Sequence, residues 1–137
     1  MKQEQGMFIP HGAYRVDIQE NLLVIEAKGP FNKEVVKQYS LDLANAVQKM
    51  QAPWGQLIIM HQDSLFTPDA ENLMHKSARA RKLFGLYASA IVLVETTVRF
   101  AIEHQVSNIY RRADIAHDFF ESEQQARTWL QELKPQT

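Results

Sequence analysis

Two stretches of the chain are apolar almost without interruption, "QLIIM" at 56–60 and "YASAIVLV" at 87–94. A strand with one wet face alternates polar and apolar residues, whereas a strand covered on both faces reads as a continuous apolar run. Such strands belong to parallel sheets, whose crossover connections carry helices that lie on the sheet. The residues between the two runs fit that demand. Thr67 is a good N-cap and Pro68 suits the first helical position, which predicts a helix over roughly 68–84.

The remaining segments extend the same alternation. All five prolines (10, 30, 53, 68, 135) and all five glycines (6, 12, 29, 55, 85) fall between periodic segments, where they mark boundaries. "AYRVDIQ" alternates, with Tyr14, Val16 and Ile18 on one face, and a two-residue "EN" turn leads into "LLVIEA" as a hairpin. Asn32 can cap a helix over roughly 33–50, with Val36, Tyr39, Leu43, Val47 and Met50 on its buried stripe. "TVRFAIEHQVSNIYRR" reads as a helix capped by Thr96 or Thr97, with Val98, Ile102, Val106 and Ile109 inward. "IAHDFF" at 115–120 is a short strand. Ser122 and Gln125 then form a capping box for a last helix that buries Ala126, Trp129, Leu130 and Leu133. The predicted order is β-β-α-β-α-β-α-β-α. This is an α/β fold with a mixed sheet of about five strands flanked by about four helices. It predicts one domain over 1–137, with a mobile N-terminal segment at 1–7.

Length and composition bound the function. A chain of 137 residues with 45 % apolar content supports one core. A net charge of −1 creates no overall field for nucleic acid. The lack of cysteine excludes disulfides, thiolate metal sites and a cysteine nucleophile. "MKQEQGMFIPHG" has no apolar core of a signal peptide. The longest apolar stretch, "LYASAIVLV" at 86–94, is about half the ~18 residues of a membrane span. The expectation is a cytoplasmic protein whose membrane contact, where it occurs, is peripheral.

Catalytic signatures are lacking. The five histidines (11, 61, 75, 104, 117) show no metal-ligand spacing such as HExxH. His61, Asp63 and Ser64 are the residue types of a hydrolytic triad, but neighbours on one short loop rarely reach relay geometry, and no G-x-S-x-G elbow is present. There is no P-loop and no G-x-G-x-x-G. The chain therefore reads as a binding domain with no metal and no cofactor.

Four places together resemble a known family: "GAYRVDIQENLLVIEAKGPFN", "APWGQLII", "TPDAENL" and "FFESEQQARTWL", spanning about residues 12–130. Their order and spacing resemble the STAS-like fold of the sulfate transporter and anti-sigma antagonist domain, and in detail the bacterial SpoIIAA-like family. That family is similar in fold to lipid-binding domains of the CRAL-TRIO type. The resemblance implies a non-enzymatic domain that holds an apolar ligand or touches a membrane.

In anti-sigma antagonists, a partner kinase phosphorylates a serine at the start of the second helix, usually in an Asp-Ser-Ser/Thr-Gly-like stretch. Here Asp63-Ser64-Leu65-Phe66 keeps the Asp-Ser pair and lacks the glycine. The resemblance thus implies phosphorylation at Ser64 or Thr67 and a protein partner. The residues themselves read as a strand-to-helix connector with an ordinary polar loop serine.

Two further features suggest ligands. The start of the third helix carries Thr96, Thr97 and Arg99 and no acid, which makes it the more natural anion site. In "HKSARARK", Lys76, Arg79, Arg81 and Lys82 occur without an acid, and Lys76, Arg79 and Lys82 share a broad helical face suited to anionic headgroups. Small residues dominate the inner face of that helix, through Ala70, Ser77 and Ala78, so it packs closely or leaves room for a guest. Phe66, Leu73, Met74, Phe84 and Phe100 would line an apolar cleft there. The expected partners are an apolar ligand or lipid and an anionic membrane surface.

Overall fold

The computed structural model describes residues 8–9 and 12–136, so the predicted mobile segment 1–7 and His11 lie outside the described residues. The five predicted strands form in the predicted order: β2 (Gly12–Gln19), β3 (Leu22–Lys28), β4 (Trp54–His61), β5 (Leu86–Val94) and β6 (Ala116–Phe120). A two-residue strand, β1 (Phe8–Ile9), precedes them and pairs antiparallel with β2. The hairpin turn is the predicted one. Gln19 faces Leu22, and Glu20 takes a left-handed φ of 58°. The Asn21 side chain then fastens the turn to the chain before β4, donating to the carbonyls of Gln51 and Pro53.

Strands β3 to β6 are parallel and lie side by side in chain order. Each crossover therefore steps the same way, and crossovers of one hand place their helices on one face. Helices α1 (Lys33–Val47), α2 (Pro68–Leu83) and α3 (Arg99–Arg112) accordingly form a layer in which α2 contacts both neighbours. Helix α4 (Glu123–Leu133) follows the last strand and packs against β4, β5 and β6 from the other side. The larger core, with Leu23, Ile25, Ile58 and Ile91, lies under α1–α3, and a smaller one around Leu57, Ala90 and Leu130 lies under α4. This explains the two apolar runs, because β4 and β5 are covered on both faces.

The helix predictions need four corrections, the first in α4, where Leu133, expected on the buried stripe, is 41 % exposed. Helix α1 ends at Val47, before the expected residue 50. In α2 the buried stripe is Ala70, Met74, His75, Ala78 and Arg81, while Phe84 is 59 % exposed. In α3 the N-cap is Val98, not a threonine. The Thr96 hydroxyl accepts the Val98 N–H at 3.1 Å from outside the helix.

Candidate functional site

The opening of α2 is stitched to the end of β3. Phe31 and Phe66 form an isolated parallel bridge, with Phe31 N–H donating to the Leu65 carbonyl and Thr67 N–H to the Phe31 carbonyl. Ser64 sits inside this seam and is fully buried. Its hydroxyl donates to the His61 carbonyl at 2.7 Å and accepts the Gly29 N–H at 3.0 Å. Gly29 has no room for a side chain, since a Cβ there would lie 2.7 Å from the Ser64 Cα. Ser64, expected to be an ordinary polar loop serine, is an internal tie, and its hydroxyl is not presented at the surface. Thr67 is the exposed N-cap of α2, as predicted.

The anion site expected at the start of α3 is filled by the chain itself. The Asp63 carboxylate accepts the Thr97 N–H at 2.9 Å and the hydroxyls of Thr96 and Thr97 at 3.0–3.2 Å. The Thr97 N–H, followed by the Thr97 hydroxyl, holds its pKa below the usual carboxylate range. Arg99 turns away to pair with Glu103 one turn on. The three triad-type residues also go separate ways: His61 pairs with Glu26 at 2.8 Å, Asp63 with the threonines, and Ser64 with backbone. Among the described residues, no group of three His, Cys, Asp or Glu is gathered as a metal site.

The five residues expected to line one apolar cleft are divided. Phe66 and Met74 line an internal cavity between the sheet and the helical layer, together with Tyr14, Phe31, Tyr39 and Met60. Its volume is about 40 Å³, against ~300–1,000 Å³ for pockets that enclose drug-sized ligands. Leu73 and Phe84 instead line a groove of about 250 Å³ between α1 and α2. Phe100 is 86 % exposed and lines neither, because the inward stripe of α3 leaves it on the outer side.

The basic stretch is divided as well. Lys76, Arg79 and Lys82 are exposed, as their shared face predicts, and Lys82 donates to the Asp114 carbonyl at 2.7 Å. Arg81 is 2 % exposed and points inward, which corrects its assignment as a headgroup contact on the outer surface. It falls three residues after Ala78 and seven after Met74, on the buried stripe. Its Nη1 donates to Gln56 Oε1 at 2.6 Å and lies 3.5 Å from the Tyr110 hydroxyl. Its Nε and Nη2 make longer bonds to Ser77, at 3.3 and 3.4 Å. The guanidinium also lies over the Tyr110 ring, 5.9 Å from the centroid. Gln56 Nε2 in turn donates to Ser89 Oγ and the Tyr110 hydroxyl.

This polar network was not expected, yet it has a trace in the sequence. Gln56 and Ser89 interrupt the two apolar runs, and they are register partners on neighbouring strands. Tyr39 and Tyr110 contact Arg81 and also line the inner cavity, while Arg81 and Ser77 line the groove. The network is thus the wall between the two spaces.

Helices α2 and α3 run parallel. Phe66 meets Gln105 and Glu71 meets Asn108 at one end, and Lys82 meets Asp114 at the other. The carboxyl-terminal end of the pair is basic, with Arg81 and Lys82 in the last turn of α2 and Arg111 and Arg112 in that of α3. Helix dipoles favour cations there. Leu83, 86 % exposed, and Phe84 project from the same end. His75 lies deeper between the helices. Burial, then the nearby Arg112, push its pKa down, and its Nδ1 has no hydrogen-bond partner among the described residues.

Among the described residues, no helix is long and apolar enough to cross a membrane. No family model matches the chain. No curated protein matches it. A solved structure does: an uncharacterized protein of the DUF3478 family with a SpoIIAA-like fold, from Shewanella loihica PV-4. The two are 15 % identical, with 90 % of this chain and 97 % of that one covered and a TM-score of 0.59. At that identity the likeness concerns architecture alone, and it agrees with the resemblance carried by the sequence: this chain has the SpoIIAA-like α/β fold.

Proposed function

We propose that the protein is a non-enzymatic binding domain for lipid-like molecules that makes peripheral contact with anionic membrane surfaces. The observation that carries the reading is the carboxyl-terminal end of α2 and α3. Leu83 and Phe84 are exposed there beside Arg79, Lys82, Arg111 and Arg112. A solvated helix end needs cations but not two adjacent, largely exposed apolar side chains. A membrane interface accepts both, since apolar groups enter the acyl boundary while cations meet headgroups at about 1 kcal/mol each. The phosphorylation-regulated switch has less support: the Ser64 hydroxyl is enclosed by backbone, and the exposed Thr67 hydroxyl is engaged as the cap of α2 and donates to Asp69.

Flotation with vesicles tests the proposal. The protein is expected to float with phosphatidylglycerol vesicles and not with phosphatidylcholine alone. Leu83→Glu and the pair Arg111→Glu/Arg112→Glu, all at exposed positions, are each expected to weaken binding about tenfold or more. Equal recovery of wild type with both vesicle types, or unchanged binding by both variants, overturns it.

A further inference from the structure

We propose that the groove between α1 and α2 binds a single-chain anionic amphiphile, its carboxylate held by Arg81 and Lys76 and its chain laid along Leu43, Val47, Leu73 and Phe84. This rests on the lipid-binding reading above and names the ligand class and its site.

The argument begins with an unbalanced charge. Among the described residues, no carboxylate lies within ion-pair distance of Arg81, although the side chain is 2 % exposed. Its partners are an amide, two serine oxygens and phenols. Burial pushes the pKa of Tyr39 well above the ordinary phenol range, so that neighbour stays neutral and supplies no counter-charge. A buried cation without an anion is costly, and such groups are ordinarily paired. Here Arg81 lines the groove, and Lys76 adds a second cation on the same wall.

The rest of the groove is mostly apolar. Leu43, Ala44 and Val47 come from α1, and Leu73, Ala80 and Phe84 from α2. A volume of about 250 Å³ is just under the ~300 Å³ lower bound for drug-sized ligands. It therefore suits one alkyl chain and not a two-chain lipid. The planar fork of arginine matches a carboxylate, which can accept two parallel bonds from it. The long bonds to Ser77, itself a groove residue, are those that a carboxylate would replace.

Calorimetric titration of the full chain with decanoate, below its micellar concentration, tests this. Decanoate is expected to bind at a stoichiometry of one, with decanol and decyltrimethylammonium at least about tenfold weaker. Lys76→Glu reverses a charge on the rim. Ala44→Trp fills the groove from an exposed helix position. Both are expected to lose about tenfold or more without disturbing the core, and Arg81→Gln, where it folds, more still. Amide shifts on decanoate addition should centre on Ala44, Ser77 and Ala80. No decanoate binding, equal binding of decanol, or unchanged binding by Lys76→Glu and Ala44→Trp overturns the proposal. Tighter binding of decyl phosphate overturns the carboxylate assignment. The vesicle variants Leu83→Glu and Arg111→Glu/Arg112→Glu lie outside the groove and should bind decanoate like wild type. Failed flotation with intact decanoate binding therefore removes the membrane contact alone.

Discussion

The Ser64 hydroxyl donates to one backbone carbonyl and accepts one backbone N–H, in a seam where Gly29 and Ser64 meet at backbone distance. Ser64→Ala removes both bonds and leaves the Gly29 N–H and one lone pair of the His61 carbonyl unmatched. A buried group left unsatisfied costs about 1–3 kcal/mol. Urea denaturation should show a loss of that size at unchanged slope, and a loss below about 0.5 kcal/mol would rule out the tie. The contact joins residues 35 apart in the chain. That explains why residues 61–70 read as a polar loop: the helix cap at Thr67 is local and legible, whereas Gly29, the partner that buries Ser64, belongs to a different strand end. The neighbouring Asp63 was legible as half of an Asp-Ser pair and as a triad-type acid, but not as the partner of Thr96 and Thr97, because those threonines follow β5.

At the scale of elements, that same Asp63 ties down the chain that leads into α3. Helix α3 has as its N-cap Val98, whose side chain cannot cap, and has no acid in its first turn. The carboxylate therefore arrives from the preceding strand-to-helix loop and satisfies the Thr97 N–H beside the positive end of the helix. A folded pKa below the unfolded value, about 3.9, fixes the sign of its pH dependence. The contribution is fully present above the unfolded value and is lost as pH falls through the lower, folded value. Asp63→Asn should accordingly lower the denaturation midpoint by a constant amount near neutral pH. The gap from wild type should close below about pH 4. A gap that persists unchanged at pH 2–3 would mean that the carboxylate charge is not the cause. Element types and order were readable because period and punctuation agree along the chain. The cap of α3 and the end of α1 were less so, since helix ends depend on such distant contacts.

Across the whole molecule, sequential parallel strands put three helices on one face and one on the other, and so leave α2 between two neighbours. A helix in that position must bury more than one stripe, which is why Arg81 and His75 go inside while Leu83 and Phe84 at its end stay out. The sequence showed the four cations as one run. It could not show that three face water and one faces the core, because that division depends on which helices flank α2. The Arg81–Gln56 pair now separates two accounts of the network. If it exists for stability, removing it should be costly. If it is kept for a ligand anion, an apolar replacement of the whole network should not be, since replacing all the partners by apolar groups of like shape is often nearly neutral. Arg81→Met/Gln56→Leu/Ser89→Ala/Tyr110→Phe, which strands none of these buried partners, is therefore expected to unfold within about 1 kcal/mol of wild type, or later. It should also lose decanoate binding, the trade between stability and function found at binding sites. A loss beyond about 3 kcal/mol, the range for breaking a buried pair outright, would instead assign the guanidinium to holding α2 on the sheet.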